Sequence, residues 1–205
     1  MLLNYIIMNT TIENGISEFS LISDSRKEEL RKLSEFVSLK GGKADLIFIC
    51  THNSRRSHLS QIWAQIAADY YGFDEIRSYS GGTEATAFFQ SGIDAIRNAG
   101  IEVLKLSEGG NPIYGVNYSE TAHPIICFSK KYDDAFNPQR GFAAIMTCNN
   151  ADKNCPFIPN ASARIPIKYE DPKIADGTPQ QLEKYIERSQ QICREMLYVF
   201  SVSTK

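Results

Sequence analysis

The residues with the clearest chemical potential lie at positions 50–56, Cys-Thr-His-Asn-Ser-Arg-Arg, where five residues separate a cysteine from an arginine. A loop of this kind between a strand and a helix can wrap its backbone N–H groups around one anion, and the arginine can add a bidentate contact. The same positive field favours thiolate over thiol, so Cys50 is predicted to be a nucleophile that attacks a tetrahedral oxyanion. The predicted oxyanion-binding residues are Thr51, His52, Asn53, Ser54, Arg55, Arg56 and Ser57.

The Cys-x5-Arg spacing alone is a weak signal, because a pattern with two fixed residues occurs by chance in many proteins. Its alternative interpretation is a buried, inert cysteine beside a surface arginine. The flanking residues favour the functional interpretation. Residues 45–50 are a run of strand formers, typical of a central parallel strand buried on both faces, and residues 57–70 carry Leu59, Ile62 and Ile66 on one helical face. The loop is therefore predicted to join the end of a strand to the start of a helix.

The rest of the chain alternates between strand and helix patterns. Strands are predicted over 75–81, 124–129, 142–147 and 163–167, the last at a sheet edge because it contains Pro166. Helices are predicted over 89–99 and 179–199, and residues 105–123 read as a turn-rich excursion. This alternation predicts a three-layer α/β fold with a mostly parallel, twisted sheet and helices on both faces.

Residues 1–43 are predicted to be an N-terminal helical extension of an α/β domain that covers 44–205. A helix over 24–37 is indicated by Leu30, Leu33 and Val37, with Ser25 and Glu28 as a capping box and two glycines at 41–42 to end it. We expect this helix to pack on the main domain or on a second subunit rather than to take part in catalysis.

Composition limits the classes of partner. A net charge of −2 and a pI near 6.0 provide no overall basic field, so nucleic acid is not an expected partner. The N-terminus lacks the features of a signal peptide, and no apolar run approaches the roughly 20 residues that span a bilayer, so we expect a soluble, cytoplasmic protein without a membrane partner. The five cysteines include no CxxC pair and the three histidines are not spaced as ligands, so neither a metal nor a cofactor is expected.

Residues 50–57 resemble the anion loop Cys-x-Gly-Asn-x-Cys-Arg-Ser of the low-molecular-weight protein tyrosine phosphatases and of their relatives, the thioredoxin-coupled arsenate reductases. Residues 79–82, Tyr-Ser-Gly-Gly, fall where that family has Tyr/Ser-Ala-Gly, and residues 169–172, Tyr-Glu-Asp-Pro, are similar to its Asp-Pro. The resemblance covers roughly residues 44–200 and implies the low-molecular-weight phosphatase fold. It also implies that Asp171 is the general acid.

A pair of cysteines separates the two branches of the family. Cys148 and Cys155 are seven positions apart with Pro156 following, which is similar to the arsenate reductases, whereas the phosphatases lack this pair. The resemblance implies that Cys50 attacks arsenate and that Cys148 then forms a disulfide with Cys50. It also implies that Cys155 takes over Cys148 in a second disulfide, which thioredoxin or a similar dithiol protein reduces. Seven residues of helix rise about 10.5 Å, whereas bridged Cα atoms lie about 4.4–6.8 Å apart. We therefore hypothesise that residues 148–155 refold when they are oxidised.

Several residues depart from the family pattern. His52 stands where the family has glycine, so the loop has to accommodate a Cβ there, and a positive φ at this position is considered. Arg55 replaces the second cysteine of the loop, and together with His58 it is expected to make the mouth of the site more basic. Gln61 stands where some reductases that bind potassium have glutamate, so no such ion is carried over.

Three functions stay open from the sequence. The leading one is an arsenate reductase that uses Cys50, Cys148 and Cys155. The second is a phosphatase acting on phosphotyrosine or another phosphoprotein through a cysteinyl-phosphate intermediate, with Cys50, Arg56 and Asp171 only. The third is a non-catalytic oxyanion or redox sensor. Cys127 and Cys193 are expected to be core or surface thiols without a functional role.

Overall fold

The computed structural model describes residues 2–154 and 157–205. The helices are α1 (Leu2–Ser17), α2 (Asp24–Leu39), α3 (Arg56–Tyr70), α4 (Gln90–Asn98), α5 (Asn149–Asn154) and α6 (Gln181–Ser201). The strands are β1 (Ala44–Cys50), β2 (Ile76–Gly82), β3 (Glu102–Lys105), β4 (Tyr114–Asn117), β5 (Ile125–Cys127), β6 (Ala143–Met146) and β7 (Ala163–Pro166). A short 3-10 helix, Pro172–Ala175, precedes α6.

Four strands form a parallel sheet in the order β2-β1-β6-β7. Strand β1 lies inside the sheet, with Phe48 opposite Ser80 of β2 and Ile145 of β6. Its side chains alternate between two cores: Leu46 and Phe48 belong to one apolar cluster, and Ile47 and Ile49 to the other. The prediction of a strand buried on both faces is confirmed.

Helices cover both faces of this sheet. Helix α3 packs on β1, β2 and α6 on one face, whereas α5 packs on β1 and β6 against the second apolar cluster. Strand β7 is at the edge of the sheet, as Pro166 predicted, because proline cannot donate to a further strand. The three-layer α/β fold predicted from the sequence is confirmed.

A second sheet is antiparallel, with the order β3-β4-β5. The strand predicted over 124–129 forms as β5, but it belongs to this second sheet, and β4 lies within the segment that was predicted to be turn-rich. Gln61 of α3 joins the two sheets, since its Nε2 donates to the carbonyls of Ser78 in β2 and Ile126 in β5, each at 3.2 Å. The Ser78 carbonyl of β2 is thereby paired by a side chain, and Gly82 at the end of the strand is paired by the backbone of residues 130–132.

The N-terminal residues form two helices rather than the single predicted one. Both pack on α6, and Met8 and Ile12 of α1 join the same apolar cluster as Leu46 and Phe48. The predicted capping box of Ser25 and Glu28 is wrong, because the N-cap of α2 is Ser23, whose Oγ accepts the N–H of Arg26 at 3.3 Å. Gly41 and Gly42 end α2 with φ of 58° and 75°, as predicted. In the described part of the chain, no helix combines the length and apolar character that crossing a bilayer requires.

Candidate active site

The segment with the predicted chemistry joins β1 to α3 at the carboxyl edge of the parallel sheet. Cys50 is the last residue of β1, Arg56 is the first residue of α3, and residues 51–55 form the connection, which we call the anion loop. Parallel α/β sheets usually bind their ligands at this edge. The predicted strand-loop-helix arrangement is confirmed.

The anion loop is held from outside through its carbonyl groups. Each of four carbonyls accepts a hydrogen bond from a neighbouring segment: Cys50 O from Thr83 N (3.2 Å), Thr51 O from Glu84 N (2.8 Å), His52 O from Ser129 Oγ (3.0 Å) and Ser54 O from Phe89 N (2.9 Å). The C=O and N–H groups of a trans peptide point in opposite directions. The N–H groups that follow these carbonyls are therefore directed away from the supporting segments, which suits a loop that binds an anion.

Cys50 is buried and its sulfur meets a hydroxyl group. The Ser57 Oγ lies 3.1 Å from the Cys50 Sγ and also accepts the Asn53 Nδ2 at 2.9 Å. Because the hydroxyl oxygen already accepts from Asn53, its own proton is free to be donated to sulfur. A hydrogen bond of this kind stabilises negative charge on Cys50.

The left-handed backbone conformation is at Asn53, with φ of 45°, and not at His52 as considered from the sequence. Asparagine tolerates this conformation better than most residues. The Asn53 Oδ1 accepts the Lys130 N–H at 2.8 Å, so both ends of the side-chain amide are used. His52 therefore keeps its Cβ without backbone strain of this type.

Arg56 and Asp171 lie together next to the loop. The Arg56 Nη1 donates to the Tyr169 carbonyl at 3.0 Å and its Nη2 to the Asp171 carboxylate at 2.5 Å. Among the described residues the buried Arg56 Nε has no hydrogen-bond partner. Because buried donors are rarely left unpaired, this N–H is available to an oxyanion in the loop.

The expectation of a more basic mouth is wrong. The Arg55 Nη2 pairs with Asp176 at 2.9 Å, and His52 lies 3.6 Å from Glu84. His58 is fully buried and stacks on Phe88, and burial, together with the charge of a nearby lysine, holds its pKa well below the usual value. His58 is therefore neutral at pH 7, and Arg55 contributes its backbone N–H to the loop while its side chain points to Asp176.

A second thiol lies beside the loop. The buried Cys148 Sγ is 3.5 Å from the Thr51 Oγ1, accepts the Ala151 N–H at 3.3 Å and shares an apolar cluster with Cys50. Cys155 lies outside the described residues. Burial raises the pKa of Cys127 to about 12 and raises that of Cys193 as well, so neither thiol is activated.

The sequence did not reveal the residues that support the loop, namely Thr83, Glu84 and Ser129. The first two follow directly after β2, so they reach the same sheet edge as Cys50, and this position could have pointed to them. Within the described residues no three His, Cys, Asp or Glu side chains gather as a metal ion would require.

The sequence was compared with known proteins. No protein-family model matches it, but arsenate reductases are similar in sequence. An arsenate reductase of Bacillus licheniformis is 27% identical over 146 residues, which cover 71% of this chain and 86% of that protein. An arsenate reductase of Bacillus subtilis is 26% identical over 143 residues, which cover 70% and 84% of the two chains.

Among solved structures, the low-molecular-weight protein tyrosine phosphatase of T. tengcongensis matches with a TM-score of 0.50 at 14% identity, covering 78% of this chain and 99% of that one. At this identity the match shows the fold. The sequence similarity to arsenate reductases and the fold agree with the strand-loop-helix arrangement around Cys50. The chain has the fold of the low-molecular-weight protein tyrosine phosphatases and is similar in sequence to the arsenate reductases.

Proposed function

We propose that this protein reduces arsenate to arsenite, with Cys50 as the nucleophile and Cys148 and Cys155 as the thiols that supply the electrons. The observation that carries the proposal is the position of Cys148, whose sulfur lies 3.5 Å from the side chain of Thr51, the residue after Cys50. A phosphatase needs no second thiol at this place. The arsenate reductases that resemble the sequence support the same assignment.

The first step joins sulfur to arsenic. The Cys50 thiolate attacks hydrogen arsenate in the anion loop, and the hydroxyl group of the arsenate departs as water after it receives a proton from Asp171. The loop N–H groups and the free Arg56 Nε hold the remaining oxygens. Arsenic is still pentavalent in this adduct.

The second step reduces arsenic. The Cys148 thiolate attacks the Cys50 sulfur, the electron pair of the sulfur–arsenic bond stays on arsenic, and arsenite leaves. Cys155 then attacks Cys148 and frees Cys50, after which thioredoxin or a similar dithiol protein reduces the Cys148–Cys155 disulfide. The role of Cys155 rests on the sequence resemblance.

A phosphatase is the second candidate, because Cys50, Arg56 and Asp171 are also sufficient to transfer a phosphoryl group to cysteine and then to water. The contact between Arg56 and Asp171 beside the loop favours this chemistry as much as the first arsenate step. The two functions differ in whether Cys148 is required.

Single-turnover arsenite release separates the two functions. The fully reduced Cys155→Ser variant should release one arsenite per enzyme and stop as a Cys50–Cys148 disulfide, which mass spectrometry of peptides detects. Cys148→Ser should release none, and Cys127→Ser, which removes another buried thiol, should turn over like the wild type with thioredoxin. Arsenite release by Cys148→Ser would refute the relay. Fast hydrolysis of an aryl phosphate without any arsenate reduction would establish the phosphatase instead.

A further inference from the structure

Two consecutive arginines hold the two ends of one short segment. Residues 171–176, which we call the acid segment, contain the short 3-10 helix and begin with Asp171. Arg56 pairs with Asp171 at 2.5 Å, and Arg55 pairs with Asp176 at 2.9 Å. The last residue of the anion loop and the first residue of α3 are thus attached to the two ends of the segment that carries the proposed acid.

The attachment through Arg55 is a closed network. The Arg55 Nε donates to the Tyr185 hydroxyl at 2.6 Å, and that hydroxyl donates to the second Asp176 carboxylate oxygen at 2.9 Å. The Arg55 guanidinium lies 4.3 Å from the centre of the Phe89 ring, which in turn stacks on Tyr185. The Phe89 N–H donates to the Ser54 carbonyl at 2.9 Å, so the stacking partner is itself bound to the anion loop.

The burial of this network makes it stronger than a surface ion pair. Exposed pairs contribute little, but the Arg55 side chain is only 13% exposed and combines two hydrogen bonds with stacking on an aromatic ring. Planar, forked contacts of this type fix geometry as well as charge. Two of the three guanidinium nitrogens are engaged with Tyr185 and Asp176, so the side chain is committed to the acid segment rather than to an anion.

We propose that Arg55 is a positioning residue: through Asp176 and Tyr185 it holds the acid segment so that Asp171 can transfer its carboxyl proton to the departing oxygen. The inference rests on the proposed function. Asp171 returns to the carboxylate form in that step and is reprotonated from solvent. Because a displacement of about 1 Å can cost on the order of a hundredfold in rate, a loosened segment slows the step that depends on Asp171.

The first test is a double-mutant cycle on kcat/KM for arsenate, using Arg55→Leu, Asp171→Asn and the double variant. Arg55→Leu should lower kcat/KM by roughly 10- to 100-fold in the wild type but less than about threefold in the Asp171→Asn background. An equal loss in both backgrounds would mean that Arg55 acts on the anion directly, which overturns the proposal. Arg55→Lys should recover only a small part of the loss, and full recovery would show that charge alone matters.

Arg194→Leu is the matched control. Arg194 lies on α6, is 18% exposed and pairs with Glu18 at 2.8 Å, away from the acid segment. Its loss should leave kcat/KM within about twofold of the wild type. If it lowers kcat/KM as much as Arg55→Leu does, the effect of Arg55 is general destabilisation and the proposal fails.

A second measurement does not depend on activity. Amide hydrogen exchange over 171–178 should be at least about tenfold faster in Arg55→Leu than in the wild type, while residues 44–50 exchange at the wild-type rate. If the wild type reduces no arsenate and this exchange still rises, the proposed function fails and the attachment stands. If the wild type reduces arsenate and the exchange is unchanged in Arg55→Leu, the attachment is wrong and the proposed function stands.

Discussion

Replacing Gly82 with alanine is expected to displace the anion loop, because the added methyl group has no space. Gly82 ends β2 directly opposite Cys50 in the parallel register. A Cβ built on Gly82 lies 2.3 Å from the Glu84 carbonyl oxygen, 2.7 Å from the Asn53 nitrogen and 2.8 Å from the Thr51 carbonyl oxygen. All three are backbone atoms, and two belong to the loop itself, so no side-chain rotation relieves the contact.

The expected size of the effect follows from these contacts. Overpacking of a well-packed site costs about 1–3 kcal/mol, which for a protein of this length corresponds to a fall in Tm of roughly 2–12 °C. The Thr51 carbonyl and the Asn53 nitrogen must retreat by several tenths of an ångström, which moves the N–H groups that face the anion. We therefore expect kcat/KM for arsenate to fall by about tenfold to a hundredfold, more than the loss of stability alone explains.

Thermal unfolding and arsenate turnover of Gly82→Ala are the measurements, with Gly110→Ala as the control. Gly110 has no positive φ, and a Cβ there meets no atom within 4 Å, so this variant should match the wild type in both assays. The description of a closely packed loop is refuted if Gly82→Ala keeps the wild-type Tm within about 1 °C and its turnover within about twofold.

Three further predictions concern groups near the loop. Ser57→Ala removes the hydrogen bond to the Cys50 sulfur, so iodoacetamide alkylation of Cys50 at pH 7 should slow by about tenfold or more. The reason is that a hydrogen bond to a charged group contributes about 1.5–3 kcal/mol. An unchanged alkylation rate would contradict this. His58 is neutral in the folded protein and takes up a proton on unfolding at pH values below 6.5, the ordinary pKa of histidine. Urea denaturation should therefore show that this group lowers the stability of the wild type by roughly 1.4 kcal/mol for each pH unit below 6.5, and His58→Gln should lack this contribution. Burial lowers the pKa of Lys130 from 10.5 to about 8, so Lys130 should contribute a gain in stability between pH 8 and 10.5, whereas the raised pKa values of Cys127 and Cys193 act in the opposite direction above pH 9.0. Lys130→Met should therefore be more stable than the wild type by roughly 1–3 kcal/mol at pH 7, and this difference should shrink between pH 8 and 10.5; a less stable variant at pH 7 would show that the aromatic contacts of the ammonium outweigh its desolvation.

Local sequence patterns predicted the elements that carry the loop. The apolar run of β1 and the helical spacing of α3 are properties of neighbouring residues, so they can be recognised without knowledge of the rest of the fold. Helix α1 and strand β4 were missed because their patterns are weak and their burial depends on α6 and on the second sheet. Tertiary packing rather than local preference determines elements of this kind.

The partners of the site residues depend on long-range contacts. Arg55 meets Asp176 and Tyr185, which are 121 and 130 residues away along the chain. Arg56 meets Asp171 across 115 residues, and only the family resemblance linked them beforehand. His58 was expected to add charge because its residue type is visible in the sequence, whereas its burial against Phe88 is not.

The cysteine pair sets a geometric condition on the proposed relay. Helix α5 begins directly after Cys148, and its six residues add about 9 Å of rise, whereas the Cα atoms of a disulfide lie about 4.4–6.8 Å apart. We therefore expect α5 to unwind when a Cys148–Cys155 disulfide forms, and this refolding remains a prediction. Unwinding must also release Asp152 of α5, which pairs with Arg164 at 2.6 Å and with Lys168 at 3.3 Å. Because these ion pairs connect α5 to Arg164 and Lys168, we expect them to favour the helical form, in which Cys148 lies beside Thr51 and is close to the loop that the proposed relay uses.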